Sequence, residues 1–287
     1  MDGSFCSEVL APTLVSLYLR GLPRSLAVTR QRWWALDALL RSQIPDASER
    51  GAVLRRAGFD AEALVVEEIG VWEDALRLLA EGRVATPCEP GYPRRWLDRL
   101  GASAPPAVWV RDLGECRPWV AVVGSRRIGP AEREFAAEVA GEAAALGHGV
   151  ISGGAAGTDR AALDAVPACA LEVLPCGLGV RGPSGISQIS VCAPDEPFST
   201  GTAMERNALV YAAAEVAVVV SVQHRQGGTW HGAADALRRR LVRVGVRREP
   251  SSPGASALMA LGAVPMSVPA DLGELLTGPH SGLFGTM

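Results

Sequence analysis

The chain has 287 residues, one large or two ordinary domains, and 48% of them are hydrophobic, so a sizeable core can be buried. Charged residues make up 21% and the net charge is −3, which excludes a disordered or fibrous chain and any global basic field; nucleic acid could be held only by a local patch. All 28 basic residues other than histidine are arginine, which excludes a Walker A phosphate loop and leaves anion contacts to guanidinium groups, backbone N–H groups and hydroxyls.

Apolar and charged residues mix at helical spacing in Ala27–Ser42, Ser48–Ala57 and Ile69–Ala80, punctuated by Pro12, Pro23 and Pro45. Residues 1–86 therefore read as a small helical N-terminal domain, with Trp33, Trp34 and Trp72 in its core. Residues 87–118 read as a linker and lead-in, because Pro87 to Pro106 is rich in proline and glycine.

From Trp119 the pattern changes to strands alternating with helices. Val120–Val123 is a buried apolar run ending in Gly124. Pro130–Leu146 is a helix with proline in its first turn and Gly147 as its stop. Val150–Ser152 (strand), Thr158–Ala165 (helix), Ala170–Leu174 and Gln188–Cys192 (strands) and Ala203–Ala214 (helix) follow. Val216–Ser221 is almost wholly apolar, as in a strand buried on both faces. Gly232–Arg240 and Ala255–Leu261 read as helices, Leu241–Val246 and Ala263–Val268 as strands, and residues 277–287 as a frayed tail. This spacing predicts an α/β fold over 119–276, a doubly wound, Rossmann-like parallel sheet whose strand ends gather at one ligand-binding edge.

Three small-residue loops should meet at that edge. Gly124-Ser125-Arg126-Arg127-Ile128-Gly129 joins a strand to a helix: glycine admits a ligand close to the backbone, the helix start offers free N–H groups, and Arg126 or Arg127 adds a guanidinium fork. Ser152-Gly153-Gly154-Ala155-Ala156-Gly157-Thr158-Asp159 reads as an anion nest, with Asp159 either capping the loop or touching ligand. Gln226-Gly227-Gly228-Thr229 follows the apolar strand, and Arg206-Asn207 can reach the same edge. Together they point to a phosphate or nucleotide-like ligand. No G-x-S-x-G elbow, H-R-D signature or G-x-G-x-x-G fingerprint is present, and Asp159 is the one acid firmly in the loops, so a binding module is expected rather than an enzyme. Arg238-Arg239-Arg240 with Arg243, Arg247 and Arg248 reads either as a track for a nucleic-acid backbone or as a solvated helix end.

The six cysteines are scattered without a C-x-x-C pair and read as reduced thiols, and the four histidines lack H-E-x-x-H spacing. No metal or cofactor is expected. No basic n-region opens the chain and no apolar run reaches about 18 residues, so a cytoplasmic protein with no membrane segment is expected.

At the loops the chain resembles the DNA-processing protein A (Smf) family. Val120 to Arg127 resembles its opening strand and G-[ST]-R loop, and Ser152 to Asp159 its S-G-x-A-x-G-x-D loop. Phe198 with Glu205-Arg206-Asn207-Ala208 resembles F-P-x-R-N, and Gly227-Gly228-Thr229 the S-G-T loop. Gly91-Tyr92-Pro93 and Pro105 to Val110 resemble the lead-in, and Pro253-Gly254-Ala255 with Gly262-Ala263 the closing part. The resemblance implies a Rossmann-like domain that binds single-stranded DNA without catalysis, forms a homodimer and loads a RecA-type recombinase in DNA-mediated transformation. It implies that Arg126, Ser152, Gly153, Gly154, Arg206 and Asn207 line the DNA pocket. The chain departs from the family pattern at Ala156, where arginine is usual, at Leu163, where histidine is usual, and at Arg181-Gly182-Pro183, which replaces a tyrosine–proline turn. These departures leave a small nucleotide as a second ligand to consider. Met204 to Asn207 with Gly227-Gly228-Thr229 also resembles the lysine-decarboxylase-like phosphoribohydrolases, but the glutamate of their G-T-x-x-E motif is missing after Thr229.

Overall fold

A computed structural model describes residues 69–89, 91–105, 107–114, 117–248 and 252–278. The helices expected over Ala27–Ser42 and Ser48–Ala57, with Trp33 and Trp34, and the tail after Gly278 lie outside these residues. The chain divides into two compact units between Arg111 and Asp112.

In the first unit, α1 (Ile69–Ala80) occupies the span its periodicity predicts. It stops at Gly82, whose φ of +62° lets its N–H close back on the Leu79 carbonyl. The chain then enters β1 (Val84–Ala85), which pairs antiparallel with β2 (Val108–Arg111). Between them α2 (Arg95–Leu100) buries Trp96 edge-to-face on Tyr92, ring centroids 5.3 Å apart, and the Tyr92 hydroxyl donates to the Pro105 carbonyl. Burial pushes the Tyr92 hydroxyl well above its usual pKa, so it stays a donor. Residues 87–118, read as linker and lead-in, thus contain α2, a 3-10 turn over Gly101–Ser103 and β2. Cys88 is disulfide-bonded, which corrects the expectation of reduced thiols at that position; Cys169, Cys176 and Cys192 are free.

The second unit carries β3 (Trp119–Val123), α3 (Pro130–Ala145), β4 (Gly149–Ser152), α4 (Thr158–Ala165), β5 (Ala170–Leu174), α5 (Leu178–Arg181), β6 (Ser187–Ser190), α6 (Thr200–Ala213), β7 (Val216–Val219), α7 (Gly227–Arg238), β8 (Arg243–Arg247), α8 (Pro253–Ala260), β9 (Val264–Met266) and α9 (Asp271–Thr277). All seven strands are parallel, in the order β6-β5-β4-β3-β7-β8-β9. The chain winds outward from β3 through β4 to β6, then returns to β7 on the other side of β3. The switch point therefore lies between the carboxyl ends of β3 and β7, where a doubly wound sheet opens a crevice.

All five residues of β3 are buried. Val120 and Val122 pack with Val150, Val216 and Val218 against Phe135 and Val139 of α3 and Leu272 and Leu275 of α9. Helices α3, α4 and α9 cover this face, and α6, α7 and α8 the other. In the arginine run after α7, Arg238, Arg239, Arg240 and Arg248 are exposed, and Arg243 and Arg247 are half-buried. Arg239 pairs with Asp235 one turn back at 3.2 Å, Arg247 lies 4.9 Å over the Phe135 ring, and Arg243 Nη1 donates to the Leu275 carbonyl at 2.8 Å. That last bond closes the final turn of α9. Arg243→Ala is expected to lower stability by about 1 kcal/mol in denaturant unfolding.

Candidate nucleic-acid interface

The first loop is the junction of the site. Ser125 N–H donates to the Ser221 carbonyl just beyond β7 at 2.9 Å, and the two hydroxyls lie 3.3 Å apart. Thr158, opening α4, donates its N–H and hydroxyl to the Ser125 carbonyl, each at 3.2 Å. Thr229, in the first turn of α7, donates its hydroxyl to the Gly124 carbonyl at 2.8 Å. All three loops are thereby held to Gly124 and Ser125, at the carboxyl edge where the switch point places a ligand.

Glycine is required where these segments touch. A Cβ on Gly124 would sit 2.3 Å from Thr158 Oγ1. Gly157 has φ +87° and lies over the Ser125 and Arg126 carbonyls. Gly153 faces the guanidinium of Arg206, with a notional Cβ 0.9 Å from Nη1.

Arg206, on α6, is 7% exposed and reaches Asp159 Oδ2 at 3.7 Å. Its buried Nε has no hydrogen-bond partner among the described residues. Asp159 also accepts from the Ala155 N–H at 3.3 Å, a bond within the second loop. Burial raises the Asp159 pKa from 3.8, against the lowering effects of Arg206 and of backbone N–H groups; burial likewise lowers that of Arg206.

A cavity of about 700 Å³ opens above these groups. Of the residues singled out in the sequence, Gly124, Ser125, Arg126, Arg127, Gly153, Asp159, Arg206, Asn207, Gly227, Gly228 and Thr229 line it. Ser152, Gly154, Gly157 and Thr158 stand behind the wall. Ser152 donates to the Val122 carbonyl at 2.5 Å, Gly154 packs on Glu172, and Gly157 and Thr158 meet the first loop. The cavity also takes in Gln226 of the third loop, Phe198 and Met204 of the motifs noted in the sequence, and Tyr211, Gln223 and His231, which were not singled out in the sequence. Phe198 and Met204 are 56% and 52% exposed.

The departures noted in the sequence have structural counterparts. Ala156 is exposed, and Leu163 is wholly buried in the core. Arg181 turns inward to the buried carboxylate of Glu172 at 3.1 Å, which also accepts from Ser184 at 3.0 Å and Gln188 at 2.8 Å. Among the described residues no group of three or more His, Cys, Asp or Glu side chains is placed to hold a metal, and no helix is long and apolar enough to cross a membrane.

The sequence model of the DNA recombination-mediator protein A family matches residues 83–277. The chain belongs to that family. DNA processing protein A from Streptococcus pneumoniae superposes with a TM-score of 0.62 at 17% identity, covering 89% of this chain and 96% of that one. The protein of the same name from Helicobacter pylori, whose structure addresses its single-stranded DNA binding mode, gives a TM-score of 0.52 at 23% identity over 58% of this chain and 86% of that one. At these identities the likeness shows the fold. No curated protein sequence matches the chain.

Proposed function

We propose that this family member binds single-stranded DNA in the cavity at the carboxyl edge, without catalysis, and assists a RecA-type recombinase during DNA uptake or recombination in the cytoplasm. The observation that carries the reading is the convergence of Arg126, Arg127 and Arg206 with glycine-rich main chain on one cavity, in a family of recombination mediators. Guanidinium forks and free N–H groups are the donors a phosphodiester accepts from. The exposed Phe198 at the rim suits stacking of an unpaired base. Asp159, the one acid among the described residues lining the cavity, is engaged by Arg206 and a backbone N–H, which favours binding over hydrolysis of a glycosidic bond. The recombinase and a second copy of the chain are proposed as partners on the family resemblance, and a separate helical domain over residues 1–86 on the helical spacing of its apolar residues.

Arg126→Ala is expected to weaken binding to a single-stranded oligonucleotide and to reduce the dependence of log K on log salt by about 0.7, the contribution of one single-strand phosphate contact. A variant that binds as the parent chain does, with the same salt slope, overturns the site. The second reading, a small-nucleotide sensor, draws on the cavity volume of about 700 Å³, within the range of small-ligand sites. A thermal shift with a mononucleotide, and no binding of oligonucleotides, would favour it.

A further inference from the structure

We infer that one wall of the cavity reads an unpaired nucleobase, and that Gln223, Gln226, Asn207 and His231 form that wall. The inference rests on the reading of the cavity as a single-stranded DNA site and adds to it a base preference.

The lining divides by chemistry. Arg126, Arg127 and Arg206, with the glycine main chain, offer donors and no side-chain acceptor. Gln223 and Gln226 stand on the segment between β7 and α7, Asn207 on α6 and His231 on α7. The primary amides each carry an acceptor oxygen beside a donor nitrogen, and a neutral imidazole carries one of each.

These groups are largely uncommitted. Gln223 and Gln226 are exposed into the cavity, and the bond between them is backbone only, Gln226 N–H to the Gln223 carbonyl at 3.4 Å. Neither amide side chain has a hydrogen-bond partner among the described residues. Asn207 spends one N–H on the Gly228 carbonyl at 3.4 Å, leaving its oxygen open. His231 lines the cavity with neither ring nitrogen bonded among the described residues.

A phosphodiester has acceptors and no donor, so the amide oxygens have nothing to receive from it. The edge of an unpaired base presents adjacent donors and acceptors, and amide side chains match such pairs. Phe198 and Met204, exposed at the same cavity, supply the apolar surface on which a base face rests. Arg126 and Arg127 stand on the loop after β3 and the two glutamines on the segment after β7, while Arg206 and Asn207 are neighbours on α6 between them.

The experiment titrates the full chain with single-stranded oligo(dT), oligo(dA) and oligo(dC) of equal length at several salt concentrations, alongside a Gln223→Ala/Gln226→Ala double variant and Arg126→Ala. Both glutamines are exposed, so their removal leaves the fold intact. For the parent chain the affinities are expected to differ by about fivefold or more between the best and worst base, within the discrimination of a paired hydrogen-bond contact. The glutamine variant should bring them within about twofold while keeping the parent salt slope. Equal affinities in the parent chain overturn the inference and leave the DNA site standing. A glutamine variant that binds all three more weakly by one factor, with the parent's base preference kept, also overturns it, because the amides would then be phosphate donors. If no oligonucleotide binds, or Arg126→Ala leaves every slope unchanged, the underlying DNA reading falls and the base wall with it.

Discussion

Replacing Asp159 with alanine is expected to lower the folding free energy by about 3 kcal/mol, because it strands the Arg206 guanidinium in a buried position without its counter-charge. Both residues are over nine-tenths buried, and Arg206 is wedged against the bare backbone of Gly153. The guanidinium cannot swing to water without leaving that slot. Denaturant unfolding would show the loss as a lower midpoint with an unchanged slope. Replacing both charged residues with apolar side chains of similar size should recover most of it, since the pair itself contributes little beyond offsetting its own desolvation. A single variant as stable as the parent chain would mean that Arg206 finds water or another partner. The pair also sets a pH dependence. Burial holds Asp159 above its ordinary 3.8 despite the attraction of Arg206. A carboxyl with a higher pKa folded than unfolded gives its stabilisation at low pH and loses it as pH rises through the folded value. The stability of Asp159→Asn relative to the parent chain should therefore improve as pH rises above 3.8.

Gly157→Ala is expected to be comparably damaging, at about 3 kcal/mol, by adding two effects. The residue has φ +87° and ψ −124°, a backbone region that side chains rarely adopt. A Cβ there would also meet the carbonyl oxygens of Arg126 at 2.4 Å and Ser125 at 2.5 Å. Those are main-chain atoms in the junction loop, so relief would displace Arg126 and weaken DNA binding along with stability. Gly182→Ala separates the two effects: Gly182 has φ +70° with nothing within 4 Å of its notional Cβ. It should cost about 1 kcal/mol and leave binding unchanged. Equal losses for the two variants would remove the steric part of the argument.

Much of the sheet was legible because strands such as β3 and β4 are short apolar runs that end at glycine or Ser-Gly, and α4 and β5 fall on the residues their patterns predict. The helix α7 begins at Gly227, five residues before the expected Gly232. Two adjacent glycines read as loop by propensity, but here they form the first turn, close to Asn207 on the neighbouring helix. Helix α9 escaped notice because it is short and its start depends on Asp271 accepting from the Ser267 and Val268 N–H groups. Within the site, the glycines and arginines carried a signal because their types are unusual at strand ends. Gln223 and His231 carried none, since isolated polar residues in a loop or helix start read as ordinary solvation. Nor does any local pattern reveal that Ser125 bonds to Ser221, 96 positions away; that contact is set by the return of the chain from β6 to β7.

The bonds that tie Thr158, Ser221 and Thr229 to two consecutive residues have a thermodynamic corollary. Walls already joined to a common junction have little freedom left to surrender when a guest arrives, so the entropy lost on complex formation falls mainly on the incoming strand. Stiffening that strand in its bound shape, rather than altering the receptor, is then the direct route to tighter association.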